Sequence, residues 1–130
     1  MKAKELFYLA LNARDKAYCP YSNFAVGAAL IADDDTVFTG CNVENAASGV
    51  TICAEQVAFS KAVSAGYKKF KGIAIVGGKK GTIPNNPCHP CGICRQIISE
   101  FCDENFKVIV FDGLNALIYN FKEILPHPFP

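Results

Sequence analysis

Apolar positions recur along the chain with two different periods. Leu6, Leu9, Ala10, Ala13 and Ala17 share one face at helical spacing, which predicts a helix over 4–18, with Arg14, Asp15 and Lys16 clustered near its end. Pro20 has no N–H to donate and stops it. Residues 25–32 are apolar and bounded by turn residues, so they read as a strand. Asp33-Asp34-Asp35 reads as a solvated turn and residues 37–41 as the returning strand of a hairpin. The small, polar stretch 42–49 is a loop. A second helix begins close to Cys53, carries Ala54, Val57, Ala58, Lys61, Ala62 and Ala65 on one face, and ends where Gly66 suits a C-terminal cap.

Residues 71–76 predict a strand. The following Gly77-Gly78-Lys79-Lys80-Gly81 lacks the spacing of a phosphate-binding loop and reads as a flexible surface loop. A proline-rich approach over 84–90 leads to a third helix over 92–102, with Cys94, Ile97, Ile98 and Phe101 inward. Strands over 107–111 and 116–119, a helical turn over 121–125 and an extended tail over 126–130 complete the chain. Strands alternating with helices imply parallel pairing in the middle of the sheet, and the first hairpin adds an antiparallel edge. The expectation is an α/β fold: a three-layer α/β/α sandwich around a mixed sheet of about five strands. No repeat or linker interrupts it, so 1–130 reads as a single domain.

Composition narrows the function classes. At 130 residues and 51% hydrophobic content the chain has ample material for one core, which argues against disorder. Thirteen basic and twelve acidic residues give a net charge of +1, without the basic patch of a nucleic-acid binder. No apolar run approaches the roughly 20 residues of a membrane helix. Residues 1–5 lead into an amphipathic pattern rather than a signal peptide, so a cytoplasmic location is expected. Seven cysteines, an odd number, argue against a disulfide framework and towards metal binding.

The chemistry concentrates in Cys53-Ala54-Glu55 and Pro90-Cys91-Gly92-Ile93-Cys94. A C-x-x-C pair brings two thiolates to one metal from a single turn. Proline before the pair and a helix after it place the sulfurs at a helix N-terminus, where the dipole and free N–H groups stabilise thiolate charge. Cys53 opens another helix and gains the same benefit. Three ligands, Cys53, Cys91 and Cys94, would leave a fourth tetrahedral position for water, whose pKa zinc lowers towards about 7. Glu55, two residues after the first ligand, can face that water without ligating. The pattern is that of zinc-dependent nucleobase deaminases in the variant with three cysteines, where the carboxylate shuttles protons.

Two other readings stand beside it on spacing alone. A structural zinc site would take Cys88 or His89 as a fourth ligand. An iron–sulfur run would use Cys88, Cys91 and Cys94, although position 98 is Ile where a fourth cysteine is usual.

Nearly the whole chain resembles the short, homotetrameric class of cytidine deaminases. Residues 18–29, from Tyr18-Cys19-Pro20-Tyr21-Ser22-Asn23-Phe24 to Ala29, are similar to the family's opening motif. Gly40-Cys41-Asn42-Val43-Glu44-Asn45-Ala46 is similar to its nucleoside-binding motif, and Ile124-Leu125-Pro126 followed by Phe129 to its C-terminus. The resemblance implies one Zn²⁺ per subunit, a small nucleoside substrate, and a homotetramer with active sites shared between subunits. It implies that Glu55 is catalytic and that Asn42 and Glu44 bind the ribose hydroxyls. Phe24 would stack on the pyrimidine, and Phe129 of a neighbouring subunit would close the base pocket.

The chain departs from that family at two positions. Gln56 stands where members with Cys at position 53 have Arg. Three thiolates leave the site at net −1, so the missing cation implies a bound water of higher pKa and a slower enzyme, unless Arg95 or the helix ends compensate. Ser48 stands where Tyr is typical, which bears on the pocket wall. The resulting expectation is hydrolysis of cytidine and deoxycytidine to the uridine forms with release of ammonia, a pyrimidine salvage reaction. The competitors are a deaminase of a modified nucleoside such as blasticidin S and a zinc-stabilised binding module without turnover. Neither Cys88 nor His89 is expected to ligate in the active state.

Overall fold

A computed structural model describes residues 2–113 and 115–127. The chain runs α1 (Ala3–Arg14), β1 (Phe24–Ala32), β2 (Val37–Cys41), a 3-10 turn (Ser48–Val50), α2 (Ala54–Ser64), β3 (Phe70–Lys79), α3 (Gly92–Phe101), β4 (Lys107–Phe111), β5 (Ala116–Asn120) and α4 (Phe121–Ile124). The five strands form one mixed sheet in the order β2-β1-β3-β4-β5.

The sheet is covered on both sides, and the two-residue period of each central strand sorts its side chains between them. Ala28 and Leu30 of β1, Ile73 and Ile75 of β3, and Val108 and Val110 of β4 share a core with Ala58, Phe59 and Ile98 of α2 and α3. The intervening Ala29, Ile31, Ala74, Val76, Ile109 and Phe111 pack with Leu6 and Ala10 of α1. Burial on both faces is why these strands read as unbroken apolar runs. The expected α/β/α sandwich is therefore the observed one.

The pairing is less parallel than expected. Only β3 and β4 are parallel neighbours. β1 lies between β2 and β3 and is antiparallel to both, so α2 crosses between two strands that run the same way without touching. Two boundaries also move. The first helix ends at Arg14 rather than near residue 18. Gly77 and Gly78, read as flexible loop, are the last turn of pairing in β3, whose ladder with β1 runs on to Phe24↔Lys79. Glycine is needed at Gly77 because a Cβ there would lie 2.6 Å from the Cys88 sulfur.

Gly40 sets the approach of α2. A side chain there would meet the Ala54 carbonyl at 2.4 Å, so only glycine lets the start of α2 lie on β2. That contact brings Cys53 and Glu55 beside the strand that leads to Asn42. Among the described residues, no helix is long and apolar enough to cross a membrane.

Candidate active site

Two helix N-termini converge on one point. Cys53 is the N-cap of α2, and Cys91 is the N-cap of α3, with Cys94 three positions into that helix. The three sulfurs all lie within 4.8 Å of one another. Cys53 and Cys91 are 3.8 Å apart. Tetrahedral zinc with Zn–S bonds of about 2.3 Å requires sulfurs about 3.8 Å apart, so the triad already has the dimension of a zinc site.

The proton balance of the thiols fits a cation. Hydrogen bonding from Cys94, then Cys91, draws the Cys53 thiol down to about 6. Donation to Cys53, reinforced by burial, pushes Cys94 up. A divalent cation would take over this role and deprotonate the thiols outright.

Glu55 follows in the first turn of α2 and is buried. Burial pushes its carboxyl up to about 7, with the charge on Cys53 adding to the shift and a hydrogen bond from Cys94 opposing it. A carboxyl that titrates near neutrality beside the metal triad is suited to give and take protons. Gln56 accepts a hydrogen bond from the Cys53 N–H at 2.8 Å, and its own backbone N–H faces the Cys53 side chain. It acts through its neutral carbonyl, locking the ligand into the helix start.

Arg95 does not offset the thiolate charge by direct donation in this structure: its guanidinium donates to the carbonyls of Pro90 and Ile124. Cys88 and His89 stand outside the triad. The Cys88 thiol is pushed up to about 12 by burial and nearby negative charge. The His89 ring packs on Tyr119, with centroids 5.6 Å apart.

The other expected site residues form a rim on β1 and the loop after β2. Asn42 is buried. Its Oδ1 accepts from the Val26 N–H and its Nδ2 donates to the Phe24 carbonyl, both at 2.9 Å. The amide thus pairs with β1 and keeps one N–H and one lone pair free of those bonds. Glu44 accepts from the backbone N–H groups of Tyr21 and Ser22 at 3.0 and 3.1 Å and from the Ser22 hydroxyl. The Ser22 bonds hold its carboxyl below the usual range. Phe24 opens β1 and is 44% exposed. Ser48 begins the exposed 3-10 turn just before the first ligand. Phe129 lies outside the described residues.

Over residues 1–110 the chain matches the family described as "Cytidine and deoxycytidylate deaminase zinc-binding region". The chain belongs to this deaminase family. A cytidine deaminase of Sporosarcina psychrophila is 48% identical over 108 residues, spanning 83% of this chain and 76% of the relative. A crystal structure of cytidine deaminase from Burkholderia pseudomallei superposes with a TM-score of 0.88 at 42% identity, covering 99% of this chain and all of the other. A blasticidin-S deaminase of Bacillus cereus stands further off, 32% identical over 104 residues, 78% of this chain and 74% of the relative.

Within this deaminase fold, sequence reasoning missed Arg14. It sits at the end of an amphipathic helix among other charged residues, yet its side chain is buried and donates to the carbonyls of Ala25, Gly78, Lys79 and Thr82. Its only signal was position: it follows Ala10 by four residues and so shares that residue's inward face.

Proposed function

We propose that this chain, a single catalytic domain over 1–130, is a cytidine deaminase that hydrolyses cytidine and deoxycytidine to uridine and deoxyuridine, releasing ammonia. The observation that carries the proposal is a buried, near-neutral carboxyl, Glu55, beside three cysteine sulfurs spaced for zinc. Cys53, Cys91 and Cys94 would hold the ion. Zn²⁺, when bound, supplies Lewis-acid activation of the attacking water.

Glu55 is the proton carrier. As a carboxylate it accepts a proton from the nucleophile, and it then delivers that proton to ring N3. In a second transfer it takes the proton of the hydroxyl then carried by C4 and gives it to the departing amine. Burial keeps bulk water from competing for that proton and raises the carboxyl to the range where both directions are accessible. Asn42, through its spare N–H and lone pair, and Glu44, through its remaining lone pairs, bind the ribose hydroxyls. Their bonds to β1 and to residues 21–22 fix the direction in which those spare sites point. Phe24 presents its ring to the pyrimidine.

The active unit is a homotetramer in the cytoplasm, serving pyrimidine salvage, with Phe129 of a neighbouring subunit closing the base pocket. Supporting this, Val50 and Ile52, just before Cys53, and Ile93, between the other two ligands, are exposed apolar residues beside the site. A second copy would cover them. Neither a polynucleotide nor a membrane surface is a partner of this near-neutral chain.

Purified zinc-containing protein mixed separately with cytidine, deoxycytidine and blasticidin S tests the assignment by absorbance. Loss of the first two is the expected result. Loss of blasticidin S alone would move the chain to the modified-nucleoside deaminases, and stable zinc with no turnover of any would make it a binding module.

A further inference from the structure

Among the described residues, the buried Arg14 side chain ties together three separate segments around Phe24. Its Nε donates to the Ala25 carbonyl at 3.2 Å, next to Phe24 at the start of β1. Nη2 donates to Gly78 at 3.1 Å and Lys79 at 2.6 Å, where β3 ends. Nη1 donates to Thr82 at 2.9 Å, in the loop beyond. Among the described residues it has no carboxylate partner.

A buried guanidinium cannot shed its proton, so its desolvation must be offset by hydrogen bonds. Here backbone carbonyls supply all of the bonds described above. The fork fits them because each of its three nitrogens donates to a different segment, which the single nitrogen of an ammonium cannot reproduce.

Three of the four clamped carbonyls, those of Gly78, Lys79 and Thr82, belong to residues lining one cavity of about 300 Å³, and the fourth, Ala25, follows the lining residue Phe24. Phe24, Gly78, Lys79, Thr82, Pro84 and Pro87 line it. The loop that forms its far wall runs directly into Cys88 and the ligand Cys91. Two further bonds close the same loop, from the Lys80 N–H to the Asn23 carbonyl at 2.8 Å and from the Thr82 hydroxyl to the Lys79 carbonyl.

We infer that Arg14 is a positioning residue for nucleoside binding, holding the Phe24 side of the cleft and the 79–87 loop in one arrangement. The inference rests on the deaminase reading above. It assigns Arg14 no contact with substrate.

The test compares parent, Arg14→Lys and Thr82→Ala enzymes at equal zinc content, with cytidine as substrate and amide hydrogen exchange as a second readout. For Arg14→Lys, KM rises about tenfold while kcat stays within about threefold, because binding geometry and not the proton carrier is disturbed. Exchange accelerates at Lys80 and Thr82 but not across β3 and β4. Thr82→Ala removes only an exposed hydroxyl bond of the same loop, keeps the fold if the lysine variant fails to form, and raises KM about two- to threefold.

An unchanged KM in both variants overturns the inference. So does a fall in kcat at constant KM with exchange rising uniformly, which would mark Arg14 as structural only. A parent enzyme without cytidine turnover overturns the deaminase reading and this inference with it. An active parent with insensitive variants overturns this inference alone.

Discussion

The two ends of the candidate site are built differently. The metal end consists of side chains at fixed offsets along two helices, each ligand held by its own turn. The proposed nucleoside rim consists of side chains that bond to the backbone of other segments: Asn42 to β1, Glu44 to residues 21–22, and Arg14 to the start of β1 and the end of β3. The contrast separates two tasks. Holding an ion needs ligand spacings that one turn of chain specifies, once two helix starts have converged. Shaping a cleft needs distant strands held in register, which only the assembled sheet provides.

The metal end should fail most severely. Cys94→Ala removes the fully buried ligand, and the expected outcome is loss of bound zinc and of all measurable turnover, read by metal analysis alongside an activity assay. Zinc retained at parental stoichiometry would show that the triad is not the binding set.

The rim should fail through stability as well as affinity. Asn42→Ala strips the Val26 N–H and the Phe24 carbonyl of their partners, and the expected cost is about 2–4 kcal/mol in denaturant unfolding, with a raised KM. A variant with parental stability would mean that the rim does not depend on these bonds.

A third outcome concerns pH. Glu55 titrates at about 7 in the fold, against 4.5 in an unfolded chain. Between those values the unfolded chain has released a proton that the folded chain keeps. Raising the pH therefore lowers the stability of zinc-free protein across that window, by about 2–3 kcal/mol from this group. Glu55→Gln should lack that part of the slope when both proteins are unfolded in denaturant from pH 4.5 to 7.

The smallest effect is expected at Gln56. Arginine cannot accept from the Cys53 N–H, so Gln56→Arg should cost about 1 kcal/mol of stability through the lost cap. Its charge should nonetheless raise turnover and move the acidic limb of the pH–rate profile to lower pH. A profile identical to the parent's would remove the charge argument.

This contrast also explains what could be read from the chain. The sandwich was legible because Leu30, Ile73 and Val108 alternate with Ala29, Ala74 and Ile109, and such a two-sided pattern has few other solutions. The cysteine triad was legible because C-x-E and P-C-x-x-C are local. The insertion of β1 between β2 and β3 was not, because pairing partners depend on contacts far apart in sequence. Gly77-Gly78 looked like loop because glycine signals freedom, whereas Gly77 is there to leave room for Cys88. The role of Arg14 was not legible because its acceptors are carbonyls, which leave no trace in side-chain identity. Gln56 looked like a missing cation, and its accepting role emerged only with the helix cap in place.

The most direct test of the central claim is the turnover of cytidine by Glu55→Gln beside the parent at matched zinc content. Glutamine keeps the size of the side chain and removes its titrating proton. The expected result is a loss of about 10²–10⁴ in kcat with zinc retained. A variant that deaminates within a few-fold of the parent would contradict it, because the proton would then travel by another group.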